Sequence, residues 1–310
     1  MKNIRKIIFV LAMLLLVLQL FMMNQNEKIT QVNSKPIVAV STFSLYDITK
    51  HIGKDSIELI NILPFGVDAH SFEPTPKLMA SLEKSRLVIY NGALEPWIEG
   101  FTFKNSSINM SKRVNIRALQ EDEHHHKEHK HHTDSKIDPH YWLDLQNMKI
   151  ATHTITDSLI YITPSKKEFY IQNRDKYLTM LDSLDVQYKK SLSSCKKETI
   201  ITNHNAFSYL SHKYNFKVEA LSGLSPDAQP SAKQIAKLME HIEEHNVSTI
   251  FFESFVSDRV MKSIAKDTKV SVDTLQPLGN ITKDEAEKHL TYEDIMKINL
   301  EKISKALMCQ

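Results

Sequence analysis

The sequence predicts an α/β protein of two lobes, each a mostly parallel sheet flanked by helices, joined by one long helix. Two observations lead to this fold class. Short apolar strands alternate with helical patterns both before and after the middle of the chain, and such alternation is typical of parallel sheets covered by helices. Between the two series lies a long, highly charged stretch with apolar residues at helical spacing.

The first lobe is assigned to residues 36–163. Apolar runs predict strands at 36–41, 57–63 and 86–91, with a weaker strand candidate at 109–116. The intervening segments predict helices at 44–52 and 76–84.

The joining helix is assigned to residues 164–194, a stretch too long for a crossover between neighbouring strands. Its predicted apolar stripe consists of Phe169, Tyr177, Leu181, Leu184, Tyr188 and Leu192. A second alternating series then fills the lobe assigned to residues 195–310. Its predicted strands are 199–202, 216–221, 247–253 and 269–275, and its predicted helices are 206–214, 231–245, 258–267 and 292–307.

The first 28 residues are predicted to be an export signal or a signal anchor rather than part of the fold. Lys2, Arg5 and Lys6 precede an uninterrupted apolar run from 7 to 18, which is the order of charge and hydrophobicity found in export signals. No small-residue cleavage pair follows, so an uncleaved anchor stays open, because the apolar segment is close to the roughly 20 residues that span hydrocarbon. No cysteine follows the run, which argues against the usual lipid attachment there. The protein is therefore expected outside the cytoplasm.

Composition narrows the classes of partner. The chain has 310 residues, long enough for two domains. Its 39 Lys and Arg residues almost balance 37 Asp and Glu residues, for a formal net charge of +2. This balance lacks the basic footprint of a nucleic-acid-binding protein, so no nucleic-acid partner is expected.

Three histidines lie in separate loop-like segments beside turn-forming residues or strand ends: His70, His140 and His204. Imidazoles supplied from remote points of a chain can build a tetrahedral metal site at a cleft. Asp138 and Asp144 flank His140, and either could accept a hydrogen bond from its ring, although capping the following helix is the expected task of Asp144.

A histidine-rich loop is predicted at residues 121–133. Its composition cannot pack into a core, and imidazole suits zinc, copper and nickel. A solvated, charged loop is the alternative, but we favour weak accessory metal binding, for capture or buffering. The histidines concerned are His124, His125, His126, His129, His131 and His132.

The chain has two cysteines, Cys195 and Cys309. An exported chain could oxidise them to a disulfide, but two cysteines alone leave the pairing open.

Five sequence motifs carry a resemblance to a known family. They are DAHSFEPTP at 68–76, LEPW at 94–97, DPHYWLD at 138–144, GLSPDAQPS at 223–231 and DTLQPLG at 273–279. With these motifs in this order, the chain resembles the metal-specific solute-binding proteins of ABC importers that take up zinc or manganese. The resemblance covers essentially everything after the export segment.

The resemblance implies two lobes joined by one rigid helix, a monomer, and an ABC-type permease as partner. It also implies four metal ligands, His70, His140, His204 and Asp273, with a water molecule as the alternative to Asp273 in the fourth position. Related manganese binders place a carboxylate where this chain has His204, so three imidazoles favour Zn²⁺ as cargo, with manganese or iron as the alternative. The sequence departs from the family pattern at Asn205, where Asp is usual, and at Gln229, where Glu is common.

Two other functional classes are alternatives to a metal-uptake protein. A secreted zinc hydrolase would need a zinc site with a general base. The chain contains no H-E-x-x-H motif, but His241–His245 matches the inverted form H-x-x-E-H, with Glu244 as its glutamate. A solvated helix face is the favoured interpretation of this short match, so no enzymatic activity is expected. A metal-binding surface adhesin is the third class, although the sequence offers no adhesion signature of its own.

Overall fold

The computed structural model describes residues 13–19, 22, 35–98, 101–118, 137–221, 231–254 and 259–310. It divides into two compact units, Met1–Pro36 and Ile37–Gln310. In the first unit residues 13–19 are helical, with exposed side chains. Within the described ranges, no helix is long and apolar enough to cross a membrane. The predicted histidine-rich loop and most of the predicted export segment lie outside the described residues.

The first sheet has four parallel strands in the order β2-β1-β3-β4. The strands are β1 (Ile37–Val40), β2 (Glu58–Asn61), β3 (Leu87–Tyr90) and β4 (Ser106–Asn109), and the helices between them are α1 (Phe43–Gly53) and α2 (Pro76–Leu82). The central strands β1 and β3 are buried on both faces, as expected for a parallel sheet covered by helices.

The weak strand predicted at 109–116 is wrong. The strand ends at Asn109, because the Asn109 side chain accepts a hydrogen bond from the backbone N of Ser111 at 3.1 Å and turns the chain into the short 3-10 helix Met110–Lys112. The pairing residues lie earlier, at Ser106–Asn109, beside β3. A polar side chain that bonds its own backbone competes with strand pairing, which apolar content alone does not register.

A short antiparallel pair leads into the middle of the chain. It consists of β5 (Arg117–Ala118) and β6 (Ile137–Asp138), which the sequence did not predict. Helix α3 (Leu145–Ile162) follows, and the Asp144 side chain accepts a hydrogen bond from the backbone N of Gln146 at 2.9 Å. The expected capping role of Asp144 is thus present in the structure.

The long helix α4 (Lys167–Ser191) has 25 residues and packs against helices of both lobes. Its buried positions are Tyr170, Asn173, Tyr177, Leu181, Leu184 and Tyr188, at spacings of three or four residues. The stripe begins at Tyr170 and not at Phe169, whose side chain is 37% exposed.

Hydrogen bonds tie α4 to both lobes. The Tyr177 hydroxyl donates to Asp47 Oδ2 in α1 at 2.8 Å, and the Tyr188 hydroxyl donates to the backbone O of Met296 at 2.7 Å. Buried hydroxyls need such partners, so each tyrosine positions its neighbour as well as filling space.

The second sheet also has four parallel strands, in the order β10-β9-β7-β8. Its strands are β7 (Thr199–Thr202), β8 (Lys217–Ala220), β9 (Thr249–Glu253) and β10 (Ser271–Leu275). Its helices are α5 (Ser208–Tyr214), α6 (Ala232–Glu244), α7 (Arg259–Thr268), α8 (Lys283–Glu287) and α9 (Tyr292–Ala306). The α/β prediction of two parallel-sheet lobes joined by a long helix is confirmed.

The largest apolar cluster contains residues of both lobes, and smaller clusters lie around Ile250 in the second lobe and Val88 in the first. One buried cluster extends from Val38 in the first sheet through Leu181 in α4 to Ile303 in α9. Residues 37–310 accordingly form one compact unit, and the domain boundaries at 163 and 194 stay predictions. Cys195 and Cys309 form a disulfide that closes a separation of 114 residues.

Candidate metal centre

His70 lies in the loop between β2 and α2, held by bonds from its own segment and from the second lobe. The backbone N of His70 donates to Asp68 Oδ1 at 2.8 Å. The Asn280 amide donates to the backbone oxygens of Pro64 and Val67 at 2.7 and 2.8 Å. Hydrogen bonds from Asn280 therefore hold the loop that contains His70 against the second lobe.

His140 follows β6 and is almost fully buried, at 1% exposure. Asp138 Oδ1 accepts a hydrogen bond from the backbone N of His140 at 3.0 Å and lies 2.8 Å from its ring Nδ1. The Ser208 hydroxyl donates to the other oxygen of this carboxylate. Asp138 therefore fixes both the backbone turn and the ring of His140, which leaves Nε2 as the free ligand atom.

His204 comes two residues after β7 and is also almost fully buried. Its Nδ1 lies against Glu253 Oε1 at the carboxyl end of β9, the neighbouring strand. Because parallel strands end at the same edge of a sheet, a carboxylate that ends one strand can reach a side chain that follows the next. Glu253 is thus placed to orient His204, as Asp138 orients His140.

The three imidazoles converge. One ligand atom from each of His70, His140 and His204 lies within 4.8 Å of the others. The Nε2 atoms of His140 and His204 are 3.4 Å apart. Two nitrogens bound tetrahedrally to zinc at about 2.0–2.1 Å would be about 3.3–3.4 Å apart. This spacing therefore matches two adjacent ligands of one tetrahedral ion.

The electrostatic surroundings shift the pKa values of His70 and of Asp138, the carboxylate beside His140. Burial, assisted by the neighbouring rings of His140 and His204, lowers the pKa of His70 to about 3. Burial also opposes ionisation of Asp138, but hydrogen bonds from His140 and Ser208 outweigh it and lower the pKa of Asp138. The neutral form of an imidazole is the one that binds a cation, because protonated histidine has no free lone pair.

Asp273, expected as the fourth ligand, is not among the residues that the structure brings together here. Its Oδ1 accepts a hydrogen bond from the backbone N of Thr274 at 2.7 Å and lies 3.0 Å from Lys302 Nζ. The reason is strand register. Asp273 pairs with Phe251, two residues before Glu253, and so lies within β10 and not at the carboxyl ends of the strands, where Glu253 contacts His204.

Glu253 is the site residue that sequence reasoning missed. The signal for it was available, since it is the carboxylate that ends the apolar strand 249–253. The order of the strands in the sheet, however, determines which carboxylate contacts which histidine. Local sequence patterns do not predict that order. The second expected carboxylate, Asp138, does contact its histidine.

Two parallel-sheet lobes, one long helix between them and three converging imidazoles define a two-lobed metal-binding protein. The chain belongs to the ZnuA family, whose model, described as zinc-uptake complex component A, periplasmic, matches residues 38–306.

Individual relatives agree with this family. The chain is 32% identical to the high-affinity zinc uptake system protein ZnuA of Bacillus subtilis (strain 168), over 87% of each chain. It is 31% identical to the zinc-binding lipoprotein AdcA of Streptococcus pneumoniae (strain ATCC BAA-255 / R6), covering 89% of this chain but only 56% of that protein.

Two solved structures extend the comparison. The Zn(II)-bound ZnuA-like domain of Streptococcus pneumoniae AdcA superimposes with a TM-score of 0.74 at 28% identity, covering 88% of this chain and 99% of that domain. The laminin-binding protein Lmb of Streptococcus agalactiae, described as a bifunctional protein with adhesin and metal-transporting activity, gives a TM-score of 0.77 at 26% identity, over 88% of this chain and 99% of that one.

Proposed function

We propose that this protein is an extracytoplasmic solute-binding protein that captures one Zn²⁺ between its two lobes and delivers it to an ABC-type membrane permease. The observation that carries the proposal is the convergence of His70, His140 and His204 from separate segments of the fold. These three are the proposed protein ligands, and water completes the tetrahedron in place of Asp273. Family membership supports the transport role, because the matching family is described as a component of zinc uptake.

The choice of zinc over manganese rests on the donor atoms. Three neutral imidazoles suit zinc, whereas manganese prefers carboxylate and other oxygen ligands. The carboxylates of Asp138 and Glu253 contact the rings of His140 and His204 at their Nδ1 atoms, and so act on the ligands and not on the ion. Zn²⁺ is therefore the proposed cargo.

Direct competition tests this choice. The purified protein is expected to contain one tightly bound zinc per chain by elemental analysis and to prefer zinc to manganese in competitive titration. His204→Glu should lower zinc affinity and narrow the gap to manganese, with His212→Glu at an exposed helix position as the control. Equal affinity for zinc and manganese in the unaltered protein would overturn the cargo assignment.

Delivery needs a separate measurement. Cells that carry the cognate permease should lose zinc uptake at low external zinc when His140→Ala replaces the native chain, while its export and amount stay unchanged. Uptake that persists in such cells would contradict a delivery role. N-terminal sequencing of the exported protein decides between a cleaved signal and an uncleaved anchor.

The histidine-rich loop is proposed to capture or buffer zinc loosely. Deletion of residues 121–133 should remove weak sites from a zinc titration and leave the tight site intact. Loss of the tight site would mean that the loop supplies a ligand to it.

An adhesin role is a second candidate, because Lmb of Streptococcus agalactiae combines adhesin and metal-transporting activity on a similar fold. Binding of the metal-stripped protein to immobilised laminin tests it. We propose no enzymatic activity. Peptidase activity that disappears in Glu244→Gln would contradict this part of the proposal.

A further inference from the structure

A second group of metal-ligating side chains lies in the second lobe and involves different residues from the three-histidine cluster. It consists of Glu219 in β8 and two histidines at the end of α6, His241 and His245. One ligand atom from each lies within 4.8 Å of the others. The two histidines belong to the H-x-x-E-H match, so the fold supplies the third ligand that the five-residue pattern lacked.

Helical geometry explains how the group forms. Residues four apart lie on the same face of a helix, so His241 and His245 project together. His245 is the residue directly after α6, and its backbone N still donates to the backbone O of His241 at 3.0 Å, which continues the helical hydrogen bonding to His245. Their ring centroids are 5.9 Å apart and the ring planes are nearly perpendicular.

The Glu219 carboxylate contacts both rings at once. Its Oε2 lies against His241 Nδ1, and its Oε1 lies 3.3 Å from His245 Nε2. Each ring still has a second nitrogen. Small rotations of the three side chains would therefore turn one atom from each toward a shared ion without any backbone movement.

The group is open to solvent. The side chains of Glu219, His241 and His245 are 23%, 28% and 38% exposed. An ion can reach them directly, and water can occupy the remaining coordination position. Two imidazoles, one carboxylate and one water are a donor set that zinc adopts in proteins.

We propose that Glu219, His241 and His245 form a second, solvent-accessible Zn²⁺ site on the second lobe. This inference does not depend on transport, because it concerns a different set of ligands from the cargo site. The site binds more weakly than the buried cluster, since its ligands are hydrated in the metal-free protein and none is oriented by a buried carboxylate.

Crystallography of the full chain with zinc locates the ion directly. We expect an anomalous difference peak at the zinc edge within bonding distance of Glu219, His241 and His245, in addition to a peak at the three-histidine cluster. Absence of the first peak with the second present would overturn this proposal and leave the proposed function standing. A peak at Glu219, His241 and His245 without a peak at the three-histidine cluster would overturn the proposed function and leave this proposal standing.

Titration in solution provides matched variants. His241→Asn and Glu219→Gln should each lose one zinc equivalent relative to the unaltered chain and keep the tight site. His212→Asn, at an exposed position in the last turn of α5, should lose none. The histidine-rich loop contributes equally to all four proteins, so it cancels in the comparison. An unchanged number of equivalents in His241→Asn would overturn the site.

Thermal denaturation separates a metal site from a purely structural ion pair. If the group binds zinc, zinc above one equivalent should raise the Tm of the unaltered chain more than that of His241→Asn, because binding to the folded state stabilises it. If His241→Asn lowers the Tm equally in zinc and in chelator, the contact is structural and the proposal fails.

Discussion

The two three-ligand groups of this protein differ in burial and in the part played by their carboxylates. His140 and His204 are each 1% exposed, and the carboxylates of Asp138 and Glu253 face their Nδ1 atoms from behind. In the second group the Glu219 carboxylate itself contacts the imidazoles, and every member is at least 23% exposed.

This difference shows how similar residue types can serve different tasks. Carboxylates hold the buried imidazoles in fixed orientations, so their lone pairs already point toward the position of the ion. This arrangement favours high metal affinity and selection among metal ions by coordination geometry. The ligands of the second group lie at the end of one helix and on one strand, and they are exposed to water. An ion can therefore enter and leave this group readily. The following changes test this contrast, from the largest expected effect to the smallest.

Removal of a buried imidazole should have the largest effect. His140→Ala is expected to weaken tight zinc binding by more than about 100-fold, because it should exceed the effect of losing an outer-shell partner. Competition with a zinc chelator measures this. Glu219→Gln, in the exposed group, should leave the tight affinity unchanged. Equal losses in the two variants would mean that the groups are not independent.

Removal of an orienting carboxylate should have the next largest effect. Asp138→Asn and Glu253→Gln should each weaken tight zinc binding by roughly 10–100-fold, because the imidazole loses the partner that fixes its ring. Asp144→Asn is the matched control beside His140. It keeps a helix-capping residue, and the described hydrogen bond of the Asp144 side chain goes to the backbone N of Gln146, so zinc affinity should be unaltered. Circular dichroism checks that all three variants fold.

The pH dependence of the metal-free protein should also reflect burial. Folded His70 takes up a proton only near pH 3, whereas an unfolded histidine does so below about pH 6.5. Between these values the unfolded state holds more protons, so stability falls as pH falls. The contribution is at most about 1.4 kcal/mol per pH unit.

Denaturant unfolding of the metal-free protein at a series of pH values measures this slope. His70→Gln should flatten the pH dependence between about pH 6.5 and 3, by up to one proton in the slope. His212→Gln, at an exposed position, should not. An unchanged slope in His70→Gln would show that His70 is as free to protonate in the folded protein as in the unfolded chain.

Asp273 should have the smallest effect. Because its carboxylate lies 3.0 Å from Lys302 Nζ and away from the three imidazoles, Asp273→Asn should change tight zinc affinity by less than about threefold, which is under 1 kcal/mol. A loss comparable to that of His140→Ala would restore Asp273 as a ligand and require β10 to shift on binding.

Much of the fold could be predicted because the spacing of apolar residues within short segments indicates strands and helices. The apolar runs that became β1, β3 and β7 match both faces of a covered parallel sheet, and the spacing from Tyr177 to Tyr188 matches a helix with one buried face. The buried face of α4 begins at Tyr170, one residue later than the predicted Phe169. Such a shift arises because the turn that precedes a helix determines which of its residues face the core.

Part of the candidate site could also be predicted from the sequence, and part could not. His70, His140 and His204 were identifiable from their turn-rich segments, and each of the first two has an aspartate two residues earlier that accepts its backbone N–H. Their convergence, the partnership of Glu253 with His204 and the displacement of Asp273 depend on strand order and register.

The sequence by itself determined the alternation of strands and helices, the long helix and the three loop histidines, because each depends on residues close together in the chain. Only the tertiary structure decided which carboxylate faces which imidazole and that Glu219 meets His241 and His245. Those contacts join residues from separate strands and helices, and the packing of the sheets fixes them through many weak interactions that no single segment contains.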